Sequence, residues 1–411
     1  MLPPPSQQIR VLADGDAFYA SCEVARRPEL RGKIVIVQRL DMCLAVTYPG
    51  KKLWLWLSTP MREVRKILQW VEHYIFEADM GYYERVSNTV FEILANHANT
   101  REQFSVDESF YDRTGLVANN EQAVKDYALQ LQEYILQATW MPISFGFGRT
   151  RLVAKIFNKF RKPYGVYGHL EQLSIAQALK PLALQSIPFI GRKRASKIQY
   201  CNTVGDFMSM NRRTVRDRLH WDGLKLWLEL HGHNALSILR KWWPSCIWRS
   251  RSFHPHFTSC KKTLWRKLMM NFEKAYAQMV VESVATRYLW IMFRDKNFAH
   301  YPLKQRLKDH TYERTELIQA MKDMFEQLYR PWVLYRTTAI YFAELVVVAH
   351  RQESLFDFDH TRRQKEHHQR KIVETIATIN HRLWWTHITT GTNAEAIKKM
   401  DGSEFQKMKV L

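Results

Sequence analysis

The spacing of apolar positions changes several times along the chain, and each change marks an element. Residues 9–14, IRVLAD, are a near-continuous apolar run ending in an acid, which predicts a short buried strand. Residues 17–24 then take helix-compatible spacing, and 33–38, KIVIVQ, read as a β-branched strand bounded by Gly32. Apolar residues three and four apart predict helices over 61–71 and 84–97. The stretch 103–111 alternates, as a strand or hairpin does, and 121–139 is a long amphipathic helix. A strand over 142–148 is followed by a basic helix over 149–160, stopped near Lys162-Pro163. This mixed order favours an α+β domain built on an antiparallel sheet.

From about Leu173 the pattern is helical, and the elements are short. Pro188 and Gly191 punctuate two helices there. Trp242–Pro244 looks like a linker, after which 250–257 restarts as extended chain. A helix over 260–281, a strand over 287–294, a helix over 311–329 and a strand over 336–347 make a second α+β unit. Beyond Arg351 the chain is polar and rich in His and Arg, and no repeat of fixed period runs through it. The expected fold class is α+β and multidomain.

Charge sharpens this division. The 411 residues carry 61 Lys and Arg against 40 Asp and Glu, a formal net charge of +21. Residues 1–145 hold 15 bases and 18 acids, net −3, whereas 146–411 hold 46 bases and 22 acids, net +24. A near-neutral part followed by a basic part suggests a site-bearing region and a polyanion-binding region, with nucleic acid or an anionic membrane as partner. At 46% apolar residues the chain is no disordered polymer. Its longest apolar stretch, 339–349, is interrupted by Glu344 and is far short of the ~20 residues a spanning helix needs. The first residues, MLPPPSQQIRVLA, lack the layout of a signal peptide. Five cysteines without a CxxC pair fit reduced thiols and a cytoplasmic location better than a disulfide framework or structural zinc.

Two acidic segments carry the candidate chemistry. In the first, DGDAFYASCE, Asp14 ends a buried strand. In the second, SVDESF, Asp107 and Glu108 are adjacent. Neighbouring strand residues point to opposite faces unless the strand end is irregular, as at a hairpin. Carboxylates from one such segment plus one from a distant strand can hold two Mg2+ ions, activating a 3′ hydroxyl and steadying a pyrophosphate. Solvated acids near turns are the competing reading. The stretch 149–162 holds six bases and no acid, which is either a solvated face or a triphosphate neighbour.

Together these residues resemble the Y-family translesion DNA polymerases, the UmuC branch most closely. DGDAFYASCE is similar to that family's first acidic motif and SVDESFYDRTG to its second. ISFGFGRTRLVAKIFNKFRKPYG resembles the palm's closing strand and basic helix, SIPFIGRKRASKI the thumb's helix-hairpin-helix, and RSRSF the entry to the little finger. Motifs in the family's order and at its spacing are far more specific than any one alone. The resemblance spans residues 9–356 and implies a right-hand architecture: palm at 9–16 and 78–168, fingers at 17–77, thumb at 169–243, little finger at 248–350 and a C-terminal tail at 351–411.

By position, the resemblance implies Asp14, Asp107, Glu108 and the Gly15 carbonyl as ligands of two Mg2+ ions. It implies Tyr19 as the steric gate against a 2′ hydroxyl, and Phe18 beside it, Tyr48, Lys51 and Lys155 as the residues that bind a deoxynucleoside triphosphate, Phe18 from the core side. Primer-template DNA would meet Gly191, Arg192, Lys193, Arg194 and Lys197 in the thumb and Arg249 and Arg251 further on. Gln352, Leu355 and Phe356 resemble the peptide that docks on the bacterial sliding clamp. A UmuD-like subunit and a recombinase filament are further partners of that branch; a membrane is not. The chain departs from the pattern at Pro49-Gly50, at Trp54 and Trp56, which are expected to pack inside the fingers, the alternative being that they reshape or occlude the nucleotide pocket, and at Phe189, where a glycine is usual. The implied activity is error-prone translesion synthesis in the SOS response. The alternative is a DNA- and clamp-binding accessory protein with impaired catalysis.

Overall fold

A computed structural model describes residues 6–97, 100–236, 246–253, 256–348 and 375. The expected clamp peptide, Gln352 to Phe356, lies outside the described residues. The chain divides into two compact units, 1–240 and 241–411.

The first unit begins with β1 (Arg10–Gly15), which leads through Ala17, in the left-handed region, into α1 (Phe18–Ala25). Strands β2 (Ile34–Arg39) and β3 (Met42–Val46), helices α2 (Tyr48–Lys51) and α3 (Met61–Ile67) and strand β4 (His73–Glu77) follow. The three strands form a small sheet of order β3-β2-β4, in which β2 and β4 run parallel. Its core of Ile34, Ile36, Cys43, Val46, Leu55, Met61, Val64 and Leu68 is filled. A Cβ on Gly50 would stand 2.4 Å from Val46 Cγ2, which explains the glycine in α2. The expectation that Trp54 and Trp56 pack inside is corrected: they are 78% and 51% exposed, while Leu55 between them is fully buried. The small core takes Leu55 and, in part, Leu53 from this run, and the two indoles fall outside.

The chain then forms α4 (Met80–Ala95), β5 (Thr100–Gln103), β6 (Glu108–Asp112), α5 (Glu121–Thr139), β7 (Ile143–Gly148), α6 (Arg151–Phe157) and β8 (Val166–Gly168). The main sheet has order β5-β6-β1-β7-β8 and is antiparallel except where β7 and β8 pair in parallel. Val11, Ala13, Phe145 and Phe147 pack among residues of α1, α4 and α5, whereas Leu12 and Phe110 meet Ala154 of α6. Layers on both faces leave the strand ends as the sheet's outlets to solvent. A Cβ on Gly146 would stand 2.2 Å from the Ala154 carbonyl oxygen, so α6 can lie close on β7. Short helices α7 (Gln172–Leu179), α8 (Arg192–Ala195), α9 (Val204–Ser209) and α10 (Arg212–Leu230, broken at His220) complete the unit. Ile175, Leu179, Ile198 and Phe207 share a core with Leu152 and Phe157 of α6.

The second unit comprises β9 (Ile247–Ser252), α11 (Lys261–Val281), β10 (Val284–Asp295), β11 (His300–Thr311), α12 (Arg314–Leu328), β12 (Tyr335–Ala343) and β13 (Val346–Val347). Its sheet has order β11-β10-β12-β9, with β13 on β10. Leu289, Ile291, Phe293, Ile340 and Phe342 face Leu268, Phe272, Met321 and Phe325 of the two helices. The sequence pattern missed β11 because Pro302 and its charged residues mask the alternation. As an edge strand, β11 tolerates both. Among the described residues no helix is long and apolar enough to cross a membrane.

Candidate active site

Three carboxylates converge where β1 ends. Register places Asp14 directly opposite Glu108 at the first position of β6. The segment 104–107 before it folds back on itself: the Phe104 amide donates to the Glu108 carbonyl at 2.9 Å, and Ser105 Oγ accepts from the Glu108 amide at 3.1 Å. Asp107 thus escapes the strict alternation of a strand. It sits beside β1, where the Gly15 amide donates to its carbonyl at 2.9 Å. Ser105 Oγ also donates to the Asp107 carboxylate.

Each strand-end carboxylate facing the other carries a lysine. Lys155 Nζ of α6 reaches both Glu108 oxygens at 2.6 and 2.7 Å and lies 4.5 Å over the Phe104 ring. Lys162 Nζ donates to Asp14 Oδ1 and stands 3.4 Å from Asp16 Oδ1. Burial pushes Asp14 up to about 7; Lys162 opposes that rise, and Glu108 and Asp107 add to it. Burial works against the charge of Lys162, but Asp14 and Asp16 hold its ammonium above the ordinary lysine range. Among the described residues no three His, Cys, Asp or Glu side chains form a closed metal-holding group. The donor chemistry fits a hard divalent cation nonetheless. The three side chains offer carboxylate oxygens only, and their mutual repulsion is balanced by lysines that a cation could replace.

Asp16 and Lys162 are the site residues that sequence reasoning missed. Asp16 is 1% exposed, and its Oδ2 accepts from Ser144 Oγ at 2.6 Å and from the Tyr164 amide at 2.7 Å. Its Oδ1 accepts from Tyr48 at 3.3 Å, tying the small sheet's α2 to the main sheet. The available signals were the second acid of Asp14-Gly15-Asp16 and the last base before Pro163.

Tyr48 and Lys51 reach the same pocket. Burial, then Asp16, pushes the Tyr48 phenol up, and Lys51 Nζ lies 4.2 Å over its ring. Burial and the neighbouring Lys162 pull Lys51 down, against the attraction of Asp16 and Asp14. Lys155, expected at a triphosphate, stands on Glu108 here. Tyr19 is half-buried, its ring 5.1 Å from Tyr83 and 5.7 Å from Phe18, and burial with Asp107 nearby raises its phenol. Phe18 is buried in the core.

The expected DNA contacts divide. Gly191 caps α8, on which Arg192 and Lys193 are exposed, as is Lys197 just beyond it. Arg194 instead pairs with Asp222 at 3.1 Å and donates to the Phe189 carbonyl at 3.0 Å. Phe189 has φ +72°, the region that explains why glycine is usual there. Its ring packs edge-on against Phe104, beside the carboxylate turn. Arg249 and Arg251 lie on the helix-covered side of β9, Arg249 donating to Gln278 at 2.6 Å and Arg251 approaching Met270.

Y-family DNA polymerases are among the solved structures that share this fold. A chimera of Dbh and Dpo4 aligns with a TM-score of 0.68 at 18% identity, over 82% of this chain and 99% of its own. DinB from Sulfolobus solfataricus aligns with a TM-score of 0.56 at 18% identity, over 83% and 99%. The fold is therefore that of the Y family. Residues 13–159 match the impB/mucB/samB family and residues 244–355 match that family's C-terminal domain. The chain belongs to the impB/mucB/samB family, and with it to the Y-family DNA-directed DNA polymerases. It is 24% identical to Protein SamB of Salmonella typhimurium over 91% of this chain and 92% of that one. Protein ImpB of the same organism is 24% identical over 90% and 89%. DNA polymerase IV of Corynebacterium diphtheriae is 28% identical over 55% of this chain, a match spanning about half (51%) of that polymerase.

Proposed function

We propose that this chain is a UmuC-branch polymerase that performs error-prone translesion synthesis in the SOS response, in the cytoplasm. The observation that carries the reading is the convergence of Asp14, Asp107 and Glu108 at the end of β1, beside Lys155 and Lys162. Coverage of both SamB and ImpB over about nine-tenths of their lengths supports the branch.

The three carboxylates, with the Gly15 carbonyl, would hold two Mg2+ ions, which when bound activate a 3′ hydroxyl and neutralise the leaving pyrophosphate. Lys155, Lys162 and Lys51 then present ammonium groups to a triphosphate as point charges. Tyr48 stays neutral and orients by hydrogen bond, and Asp16 fixes Tyr48 and Lys162 against the sheet. Tyr19 would act as the steric gate against a 2′ hydroxyl. Primer-template DNA is held through its phosphates, without sequence preference. The segment Gln352, Leu355 and Phe356 docks on a sliding clamp, and a UmuD-like subunit and recombinase filament are the partners to supply in assay.

Primer extension with Mg2+, on intact and abasic templates, with and without those factors, tests this. Asp107→Ala and Glu108→Ala should each lose at least two to three orders of magnitude in extension while duplex affinity stays within a factor of two. Near wild-type extension by either variant would remove the assignment. A wild-type chain that binds DNA and clamp but extends no primer is the accessory protein instead.

A further inference from the structure

One buried carboxylate in the first unit stands apart from the strand-end acids. Glu229 lies in the last turn of α10 and is fully buried. Its Oε2 accepts from the Leu152 amide of α6 at 3.0 Å. Its Oε1 accepts from the amides of Ala235 and Leu236, just beyond α10, at 2.8 Å each. Its carbonyl accepts from Thr150 Oγ1 at 3.0 Å, and Thr150 in turn caps α6 by accepting from the Val153 amide at 3.4 Å. Burial raises the Glu229 carboxyl, against the three amides and the nearby Arg151.

The position is unfavourable for an acid. The free carbonyls at a helix C-terminus repel negative charge, and burial removes its hydration. What calls for a carboxylate is that donors face both of its oxygens. A glutamine would turn its NH2 against an N–H on one side or the other. Glu229 therefore fastens two segments at once, the start of α6 and the chain leaving α10. That chain is also tied to the segment leading into β1: Asn234 Nδ2 donates to Ser6 Oγ at 2.6 Å, and the Ser6 amide to the Gly232 carbonyl at 2.8 Å. Just beyond the other end of α6, Asn158 Nδ2 donates to the Ser144 carbonyl of β7 at 2.8 Å. Between these ties lies Lys155, three residues beyond Leu152, with its Nζ on Glu108.

We propose that Glu229 is a positioning residue for Lys155: it sets the place of α6 on the sheet, and with it the reach of the Lys155 ammonium toward a bound triphosphate. It touches no substrate itself. With only seven residues, α6 moves as one body when its first turn is released. A displacement of about 1 Å at a group that meets substrate can cost about a hundredfold. The inference rests on Lys155 as a triphosphate contact, and the experiment separates the two.

The test is titration of a deoxynucleoside triphosphate, with Mg2+, into the full chain bound to a dideoxy-terminated primer-template. A 2-aminopurine beside the templating base reports nucleotide affinity without turnover. The variants are Glu229→Gln, Lys155→Met and the two together, each with its urea midpoint. Lys155→Met should weaken the nucleotide by about 10- to 150-fold, the factor for one hydrogen bond to a charged group. Glu229→Gln should weaken it by about fivefold or more, with primer-template affinity within about twofold. In the Lys155→Met background, Glu229→Gln should have no further effect on nucleotide affinity, while its shift in urea midpoint should be the same in both backgrounds. A merely structural role would not produce that split. Thr150→Val, which cuts the other tie between α10 and α6, gives a second cycle with Lys155→Met that should behave in the same way, and it decides the matter if Glu229→Gln does not fold. Equal weakening in both backgrounds, or unchanged nucleotide affinity in Glu229→Gln alone, would overturn the inference and leave Lys155 as a triphosphate contact. Unchanged affinity in Lys155→Met would overturn that reading of Lys155, and the inference with it.

Discussion

The two large sheets solve the same problem in opposite ways. The first is covered on both faces, so β1 is buried along almost its whole length and reads as a continuous apolar run. The proposed catalytic carboxylates sit at the strand ends, where Asp14 and Glu108 emerge opposite one another. The second is covered on one face, so β9 and β10 alternate and every other side chain faces outward. There Trp248 and Trp290 are among the side chains that face away from the helices. Burying a charge needs a partner for it, which is why the enclosed sheet carries lysines against its acids. The open sheet has no such requirement. How many faces a sheet hides therefore decides where its charged and aromatic side chains can stand.

The largest effect expected concerns phosphate binding, which neither the strand ends nor the open face supplies alone. The net +24 of residues 146–411 should make duplex affinity steeply salt-dependent. With roughly six phosphate contacts, log K should fall with a slope of about −5 against log salt, or about a thousandfold between 50 and 200 mM. A flat titration would mean that the basic residues are spent on internal pairs, as Arg194 is.

Next comes stability. Phe145, fully buried in β7, packs edge-on against Tyr111 inside the enclosed sheet. Phe145→Ala should cost about 3–5 kcal/mol, read as a lower urea midpoint at unchanged slope. Trp248→Ala, on the open face, should cost less than about 0.5 kcal/mol. Equal shifts would break the comparison, since they would mean that the second sheet is also covered on both sides.

The same contrast explains what could be read in the sequence. The central enclosed strands β1 and β7 were legible because a run such as IRVLAD reads as buried strand, and the acid at its end was legible for the same reason, whereas the short β5 and β8 at the sheet's margins were not. The edge strand β11 was not, because an edge accepts Pro302 and charges that a pattern search takes for loop. Trp54 and Trp56 were misplaced because apolar character does not say whether a small core has room, and this one is filled by Leu55. Asp14, Asp107 and Glu108 could be proposed from motif and spacing. Asp16 and Lys162 could not, since the part of Asp16 depends on which way its side chain turns after β1, and that of Lys162 on how the chain beyond α6 returns to β1. Nor does a sequence show that Arg249 and Arg251 lie on the helix side of β9, a matter of register alone.

A smaller effect belongs to Tyr19. If its ring limits the sugar edge, Tyr19→Ala should raise ribonucleotide incorporation at least tenfold, about 1.4 kcal/mol of discrimination, with deoxynucleotide use retained. Its contact with Tyr83 is a modest ring pair, so the fold should tolerate the change. Unchanged sugar selection in a variant that still extends primers would place the gate elsewhere, and Phe18 is too deeply buried to replace it.

The smallest effect separates backbone strain from ring contact at Phe189. A residue with a Cβ at φ +72° costs roughly 1–2 kcal/mol relative to glycine, while the edge-on contact with Phe104 returns about 0.5–1.5 kcal/mol. Phe189→Gly removes both and should leave the melting temperature nearly unchanged. Phe189→Ala keeps the strained backbone and loses the ring, so it should be less stable than Phe189→Gly by about 1 kcal/mol. The order of the two variants carries the argument. If alanine proves as stable as glycine, the backbone there is not strained, and the phenylalanine stands where a glycine is usual at no conformational cost. If glycine is much less stable than wild type, the contact with Phe104 outweighs the strain. The loop that carries Phe189 would then be one of the supports of the turn that presents Asp107.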